Sequence, residues 1–376
     1  MKRFLKIIKR TMIILISIAM LLTIAIFFYI RQPKFGQAPT AERLELIKKS
    51  SRFKDGKFHN THHTPDLTEG YSISGILYDQ LFKDHPRRNP SANIPTKKTD
   101  LHHLPAEADV LVWFGHSSYF MQIEGKRILV DPVFSGSASP VPWTVKAYKG
   151  TDRYTVDDLP AIDYLLISHD HYDHLDYETI TKLKGKVKTI ICGLGVGAHF
   201  EHWGYAAEKI IESDWNNTIS LDGGFKIHAT PARHFSGRGF TRNNTLWMSY
   251  VLQTPKKKIY IGGDSGYDTH FAEIGNQYGP FDLAILENGQ YNLAWEAIHM
   301  LPEQVIQAAE DLKTKRLFPV HSSKFTLAMH AWDEPLIKVA AAAKLHNLPL
   351  VTPIIGEMVN LNDTTHVFPE WWKTVN

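Results

Sequence analysis

The sequence predicts an α/β protein folded as a four-layer αββα sandwich, preceded by one N-terminal membrane-spanning helix. Three observations carry this expectation. From Ala108 onward, short apolar runs bounded by Gly, Pro and Asp recur, as the strands of packed sheets do. Between them lie stretches with apolar residues at helical spacing. Before them, residues 11–30 carry no charge, and only Thr11, Ser17 and Thr23 interrupt the run with hydroxyls.

Taken in order, the first element is the anchor. Twenty residues of helix reach about 30 Å, the thickness of a bilayer core. Lys2, Arg3, Lys6, Lys9 and Arg10 precede the span, and only Arg31 and Lys34 follow it closely. The positive-inside rule then places a single-pass chain in the cell membrane, N-terminus cytoplasmic and body outside. A cleaved signal peptide calls for a shorter apolar region and a small-x-small site, whereas this run ends Phe27-Phe28-Tyr29-Ile30-Arg31. Residues 1–31 therefore read as basic segment and anchor, 32–107 as an extended arm, and 108–376 as the body. The arm is rich in Pro, Lys, Asn and His and lacks sustained periodicity. A flexible stalk is one reading, but residues 71–78 with Leu81 and Phe82 are apolar enough to dock on the body.

In the body, strands are expected at 110–113, 119–123, 127–131, 164–168, 189–192, 226–230, 247–253, 258–262, 283–287 and 316–320. Helices are expected at 177–183, 302–312 and 334–345. Two sheets packed together and covered by helices bury this pattern. The formal charge of +3 misleads, because residues 1–31 hold six basic residues and no acid, leaving a body of net −3. Such a body is a poor nucleic-acid binder. The one cysteine, Cys192, excludes an internal disulfide and reads as a buried small side chain.

The most informative cluster is His169-Asp170-His171-Tyr172-Asp173-His174, which directly follows an apolar strand-like run. Neutral imidazoles beside carboxylate suit Zn²⁺ or a similar divalent ion. So many ligands in one loop exceed what one tetrahedral ion takes, and the spacing suggests two adjacent metals, as used to cleave phosphate or acyl bonds. His234, Asp264 and His321 repeat the grammar: each lies at or just beyond the end of an apolar run. Any one alone reads as a turn or core residue.

These residues in this order resemble the metallo-β-lactamase superfamily over roughly residues 105–360. The carry-over implies that His169, His171 and His234 hold one metal, most simply Zn²⁺. Asp173, His174 and His321 would hold the other, with Asp264 bridging. Within the superfamily the chain is similar to the N-acyl-phosphatidylethanolamine-hydrolysing phospholipase D group and its bacterial relatives. That likeness rests on residues 113–118, 131–134, 169–176 and 231–234. The residues from Tyr291 to Pro302 match the bacterial members better, and the membrane anchor departs from the animal ones. The resemblance implies a water nucleophile activated by two zinc ions attacking a phosphodiester, with a phospholipid or small phosphodiester as substrate.

On that reading Asp173 and Asp264 are catalytic as well as ligating, since they offset metal charge and hold the pair together. His299, just before the helix start at Pro302, is the candidate donor to the leaving group. Arg233, Arg238 and Lys324 are candidates for a phosphate oxygen, while Glu287, Tyr291 and Trp295 are candidates for the pocket wall. His116, Asp170 and Asp176 are candidates to orient the ligands. The same site acting on a lactone or other acyl bond is the nearest alternative, and a non-catalytic metal-stabilised membrane protein is a second. Oligomeric state is not legible.

Overall fold

The computed structural model describes residues 1–375; Asn376, the last residue of the expected body, lies outside the described residues. The chain opens with α1 (Lys2–Tyr29), none of whose residues is buried. This helix is long and apolar enough to cross a membrane. The arm follows as α2 (Ala41–Ile47), the hairpin of β1 (Phe53–Lys54) and β2 (Lys57–Phe58), and α3 (Ile73–Phe82).

The body then begins with β3 (Val110–Trp113), β4 (Tyr119–Ile123), β5 (Lys126–Val130) and β6 (Ile162–Leu166). Next come α4 (Tyr177–Leu183), β7 (Val187–Gly193), α5 (Gly197–His202) and β8 (Ile210–Ser213). The second half runs through β9 (Thr218–Ser220), β10 (Lys226–Thr230), β11 (Ser249–Gln253), β12 (Lys258–Ile261) and α6 (His270–Tyr278). It continues through β13 (Leu283–Glu287), α7 (Pro302–Asp311), β14 (Leu317–Val320), α8 (Glu334–Leu345) and β15 (Met358–Asn360). One mixed sheet has the order β15-β3-β4-β5-β6-β7-β8 and the other β14-β13-β12-β11-β10-β9.

Period-two alternation decides the layering. Leu111, Trp113, Tyr119, Met121, Ile128 and Val130 of the first sheet meet Tyr250, Leu252, Ile259, Ile261, Ile285 and Phe318 of the second in one core. Their neighbours Val112, Phe120, Leu129 and Leu165 point the other way, against Ile180 and Leu183 of α4 and Phe200 of α5. Likewise Val251, Tyr260, Ala284 and Leu286 face Val305, Ile306 and Ala309 of α7 and Val339 of α8. The expected four layers are present.

Several expected strands have shifted bounds, and two show why. The run 164–168 leaves the sheet after Leu166, because Ser168 N turns to donate to the Asp131 carboxylate. The run 247–253 enters its sheet only at Ser249, because Leu246 N and Met248 N bond to Leu194 O and Ser168 O across the sandwich. The arm docks, but not through residues 71–82. Those form α3, which buries nothing, and the arm is instead pinned by Ile47, Phe58, Ile94 and Leu101. α2, β1, β2, α3, α5, α6, β8, β9 and β15 were not foreseen, most of them being short.

Candidate metal centre

β6, β10, β12 and β14 deliver ligand-type residues to one edge of the sandwich. The 169–174 loop follows β6, His234 follows β10, Asp264 follows β12 and His321 follows β14. The seven expected ligands converge there. Asp264 Oδ2 lies 3.2 Å from His174 Nε2, 3.1 Å from His321 Nε2, 3.8 Å from His234 Nε2 and 3.9 Å from His169 Nε2. On one side of it, His171 Nδ1 lies 2.9 Å from His169 Nε2 and 3.3 Å from His234 Nε2. On the other, Asp173 Oδ2 lies 3.5 Å from His174 Nε2 and 3.4 Å from His321 Nε2.

These separations fit ions held between the donors. Ligand atoms about 2.1 Å from a tetrahedral zinc stand roughly 3.4 Å apart. The orientation of the rings is also that of ligands. His169, His174, His234 and His321 each turn Nδ1 to an oxygen outside the cluster and Nε2 inward. The oxygens are Ser168 Oγ at 3.0 Å, Asp131 Oδ2 at 2.8 Å, Ile298 O at 3.1 Å and Glu287 Oε2 at 3.4 Å. A proton on Nδ1 leaves Nε2 free as a lone-pair donor. His174 Nε2 and Asp264 Oδ1 are buried with no hydrogen-bond partner, which water-excluded polar atoms rarely tolerate without an ion.

Electrostatics agree. Burial works against the Asp264 carboxylate, yet His174 and His321 hold it well below the usual range. Burial opposes charge on His321 too, and Asp264 and Asp173 nonetheless raise it to about 10. Burial pushes His169 and His234 down, and His171 to about 4. This pocket draws cations at its carboxylates and keeps the other imidazoles neutral, as metal binding needs.

Backbone geometry holds the cluster. Asp131, His116 and His321 adopt left-handed φ of 41°, 54° and 65°, uncommon for such residues. The last two are locked by His321 N donating to His116 O and His116 N to Ser322 O. His116 also sits 2.9 Å from Asp173 Oδ2, within the second donor group. Burial pushes its imidazole down to about 3.

The remaining candidates divide. His299 lines the cavity, with Nδ1 2.6 Å from Glu287 Oε2, and Trp295 lines it too. Lys324 does not reach the cavity. It is buried, and Nζ donates to Phe114 O and Val133 O. Arg233 spends its donors on Thr64 Oγ1, His63 O and Tyr267 O, fixing the arm. Arg238 is buried, clamping Asp170 O and Leu175 O. Tyr291 bonds Glu334 outside the cavity. Asp176 caps α4 and accepts from Ser135 N and Thr179 Oγ1, and Asp170 accepts from Gly237 N and Thr245 Oγ1; neither touches a ligand ring.

Sequence reasoning missed the orienting role of Asp131, although it ends a strand by the same grammar as Asp264. It also missed the arm's contribution: Asn60 and Thr64–Leu67 wall the cavity of about 360 Å³, with Phe235 and Arg242 opposite. Nothing in the arm's aperiodic sequence signals this. Among the described residues, no other cluster of ligand-type side chains has comparable convergence.

Comparison with known proteins places the chain in a family. The description "Beta-lactamase superfamily domain" matches residues 126–322, more than half of the chain. An uncharacterized Mycobacterium tuberculosis protein is 37% identical over 340 residues, covering 89% of this chain and 91% of its own. N-acyl-phosphatidylethanolamine-hydrolyzing phospholipase D 1 of Caenorhabditis elegans is 27% identical over 344 residues, 84% and 94% of the two chains. Among solved structures, Igni18, a metallo hydrolase of Ignicoccus hospitalis, superposes with a TM-score of 0.51 at 20% identity. That match covers 67% of this chain and 97% of Igni18, and shows the shared fold.

Proposed function

The chain belongs to the β-lactamase superfamily and is a metal-dependent hydrolase, and on that premise we propose a membrane-anchored dinuclear zinc phosphodiesterase of phospholipase D type. Its substrates are N-acyl-phosphatidylethanolamine-like lipids or related phosphodiesters. The observation that carries the two-metal reading is Asp264 Oδ2, which stands between two groups of inward-facing donors. Likeness to the Caenorhabditis elegans enzyme along nearly its whole length supports the lipid class. The cavity supports it as well, with apolar Leu67, Trp295, Ile298 and Leu327 beside the donors.

A bound pair of divalent ions supplies an acidified water and screens phosphoryl charge. The protein does the rest. His169, His171 and His234 form one face of the centre; Asp173, His174 and His321 form the other. Ser168, Asp131 and the Ile298 carbonyl hold Nδ1 of His169, His174 and His234, and Glu287 faces Nδ1 of His321. Glu287 also anchors His299 through Nδ1 at the cavity wall, and the doubly protonated imidazolium would hand its Nε2 proton to the departing oxygen while Nδ1 stays bonded to Glu287. Arg242, packed 4.4 Å over the Phe235 ring and donating to Asp66 Oδ1 at 3.4 Å, is the guanidinium that lines the cavity among the described residues, and it faces a substrate anion.

The experiment is turnover by the full-length protein of bis-p-nitrophenyl phosphate, vesicle-borne N-acyl-phosphatidylethanolamine and simple lactones. Phosphodiester hydrolysis that chelation abolishes and zinc restores is expected. Lactone turnover without phosphodiester turnover refutes the proposal.

A further inference from the structure

The anchor does not end in free solvent. Tyr29, the last residue of α1, donates from Oη to Pro140 O at 2.9 Å. Pro33 O accepts from Trp203 Nε1 at 2.8 Å, and Lys34 O accepts from the Arg238 guanidinium at 2.7 Å. Phe35 packs edge-on to Tyr172, centroids 6.2 Å apart. Tyr172 is the residue between His171 and Asp173, both of which line the cavity. The end of the span is thus bolted to the loop that carries the metal ligands.

Other lining residues of the same cavity lead to α3. Leu67, Trp295 and Leu327 line it, Thr68 N donates to Ala294 O, and α3 starts five residues later, capped by Ser72 Oγ accepting from Gly75 N. Its face of Ile73, Leu77, Leu81 and Phe82 is open to solvent, Ile73 at 78% and Phe82 at 72%. Beside the anchor's exit, Trp143 lies three residues beyond Pro140 and is 72% exposed, and Phe240 lies two beyond Arg238 and is 86% exposed. These exposed side chains lie on the segments that lead away from the cavity wall and from the end of α1, and apolar surface of this kind marks a contact. Trp and Tyr are the side chains enriched at membrane–water interfaces, and α3 adds Tyr78 to its exposed apolar residues.

We propose that the exposed face of α3, with Trp143 and Phe240, docks in the interface of the bilayer that α1 crosses, so that the metal cavity opens onto the lipid surface. The inference rests on α1 being a membrane anchor. Its occupant is the host bilayer, because residues 29–35, where α1 ends, are fixed to Pro140, Trp203, Arg238 and Tyr172 of the body. A second membrane contact fixes the body's tilt, and a headgroup phosphodiester then lies level with the donor cluster.

Because Cys192 is buried, a single introduced thiol can be labelled selectively in the full-length protein. Environment-sensitive fluorophores at Leu81→Cys and Phe82→Cys are read in nanodiscs of phosphatidylethanolamine and phosphatidylglycerol carrying nitroxide lipids. Ile24→Cys in α1 reports the anchor, and Lys226→Cys at the remote start of β10 reports bulk solvent. Quenching of about twofold or more is expected at positions 81 and 82 and not at 226. Quenching at 24 without quenching at 81 and 82 overturns the docking and leaves the anchor standing. Absence of quenching at all three overturns both. Shielding from iodide at 81 without lipid quenching, with cross-links between copies, overturns it in favour of a second copy. Leu81→Ser with Phe82→Ser should lower turnover of vesicle lipid about tenfold while sparing bis-p-nitrophenyl phosphate. Equal loss on both substrates also overturns it.

Discussion

Asp131→Asn tests whether the tautomer of a ligand histidine is set from outside the donor cluster. Asp131 Oδ2 accepts from His174 Nδ1 at 2.8 Å and Ser168 Oγ at 2.6 Å, while Oδ1 accepts from Ser168 N at 2.9 Å. Asparagine has the same shape but only one acceptor. With its oxygen toward His174, its NH₂ meets the Ser168 N–H, donor against donor. With the amide reversed, NH₂ faces His174 Nδ1, which must give up its proton; Nε2 then carries it and cannot bind metal. Either way the variant loses about 10- to 100-fold in zinc affinity, or about 1.4–2.7 kcal/mol. The buried donor left unpaired costs the metal-free protein about 1–3 kcal/mol more. The assays are competition for zinc against a chelating indicator and thermal unfolding of the stripped protein. Zinc affinity within about threefold of the parent, with Asp264→Asn losing metal as a control, would show that His174 needs no such orientation.

Further outcomes follow from the same geometry. Glu287→Gln should lower phosphodiester turnover about 10- to 100-fold, because Glu287 serves both His299 and His321; unchanged kcat with full metal content refutes this. Burial lowers the Lys324 ammonium to about 8 from an ordinary 10.5. Between those pH values the unfolded chain binds more protons, so this group raises stability with rising pH. The difference in Tm between the parent and Lys324→Met should therefore change over that window and stay flat below it. For topology, a membrane-impermeant maleimide should label Lys226→Cys in intact spheroplasts; labelling only after lysis places the body in the cytoplasm.

Much of the centre was legible because metal ligands at strand ends leave a chemical signature that needs no contact map. His169 to His174 in one loop, with His234, Asp264 and His321 ending later apolar runs, could be found by residue type and spacing. The sheets were legible for a similar reason, since alternation along β3 to β5 and β10 to β13 already says that two faces are buried. Short edge strands such as β9 and β15 carry too few residues for a period to show. Lys324 and Arg233 show the opposite failure. A cation near a ligand in sequence looks available for phosphate, yet one is consumed by two backbone carbonyls and the other by the arm.

What the sequence determined by itself is chemistry and periodicity: the candidate donor set, the layered α/β fold and an apolar span. These depend on residue type and local order, which the chain states directly. The tertiary structure alone decided which polar groups face which. It set Asp131 behind His174 and Glu287 behind both His299 and His321, and walled the cavity with residues 60–67. It also bolted the end of α1 to Tyr172. Those pairings join residues as much as 204 positions apart, through contacts whose partners no local pattern encodes.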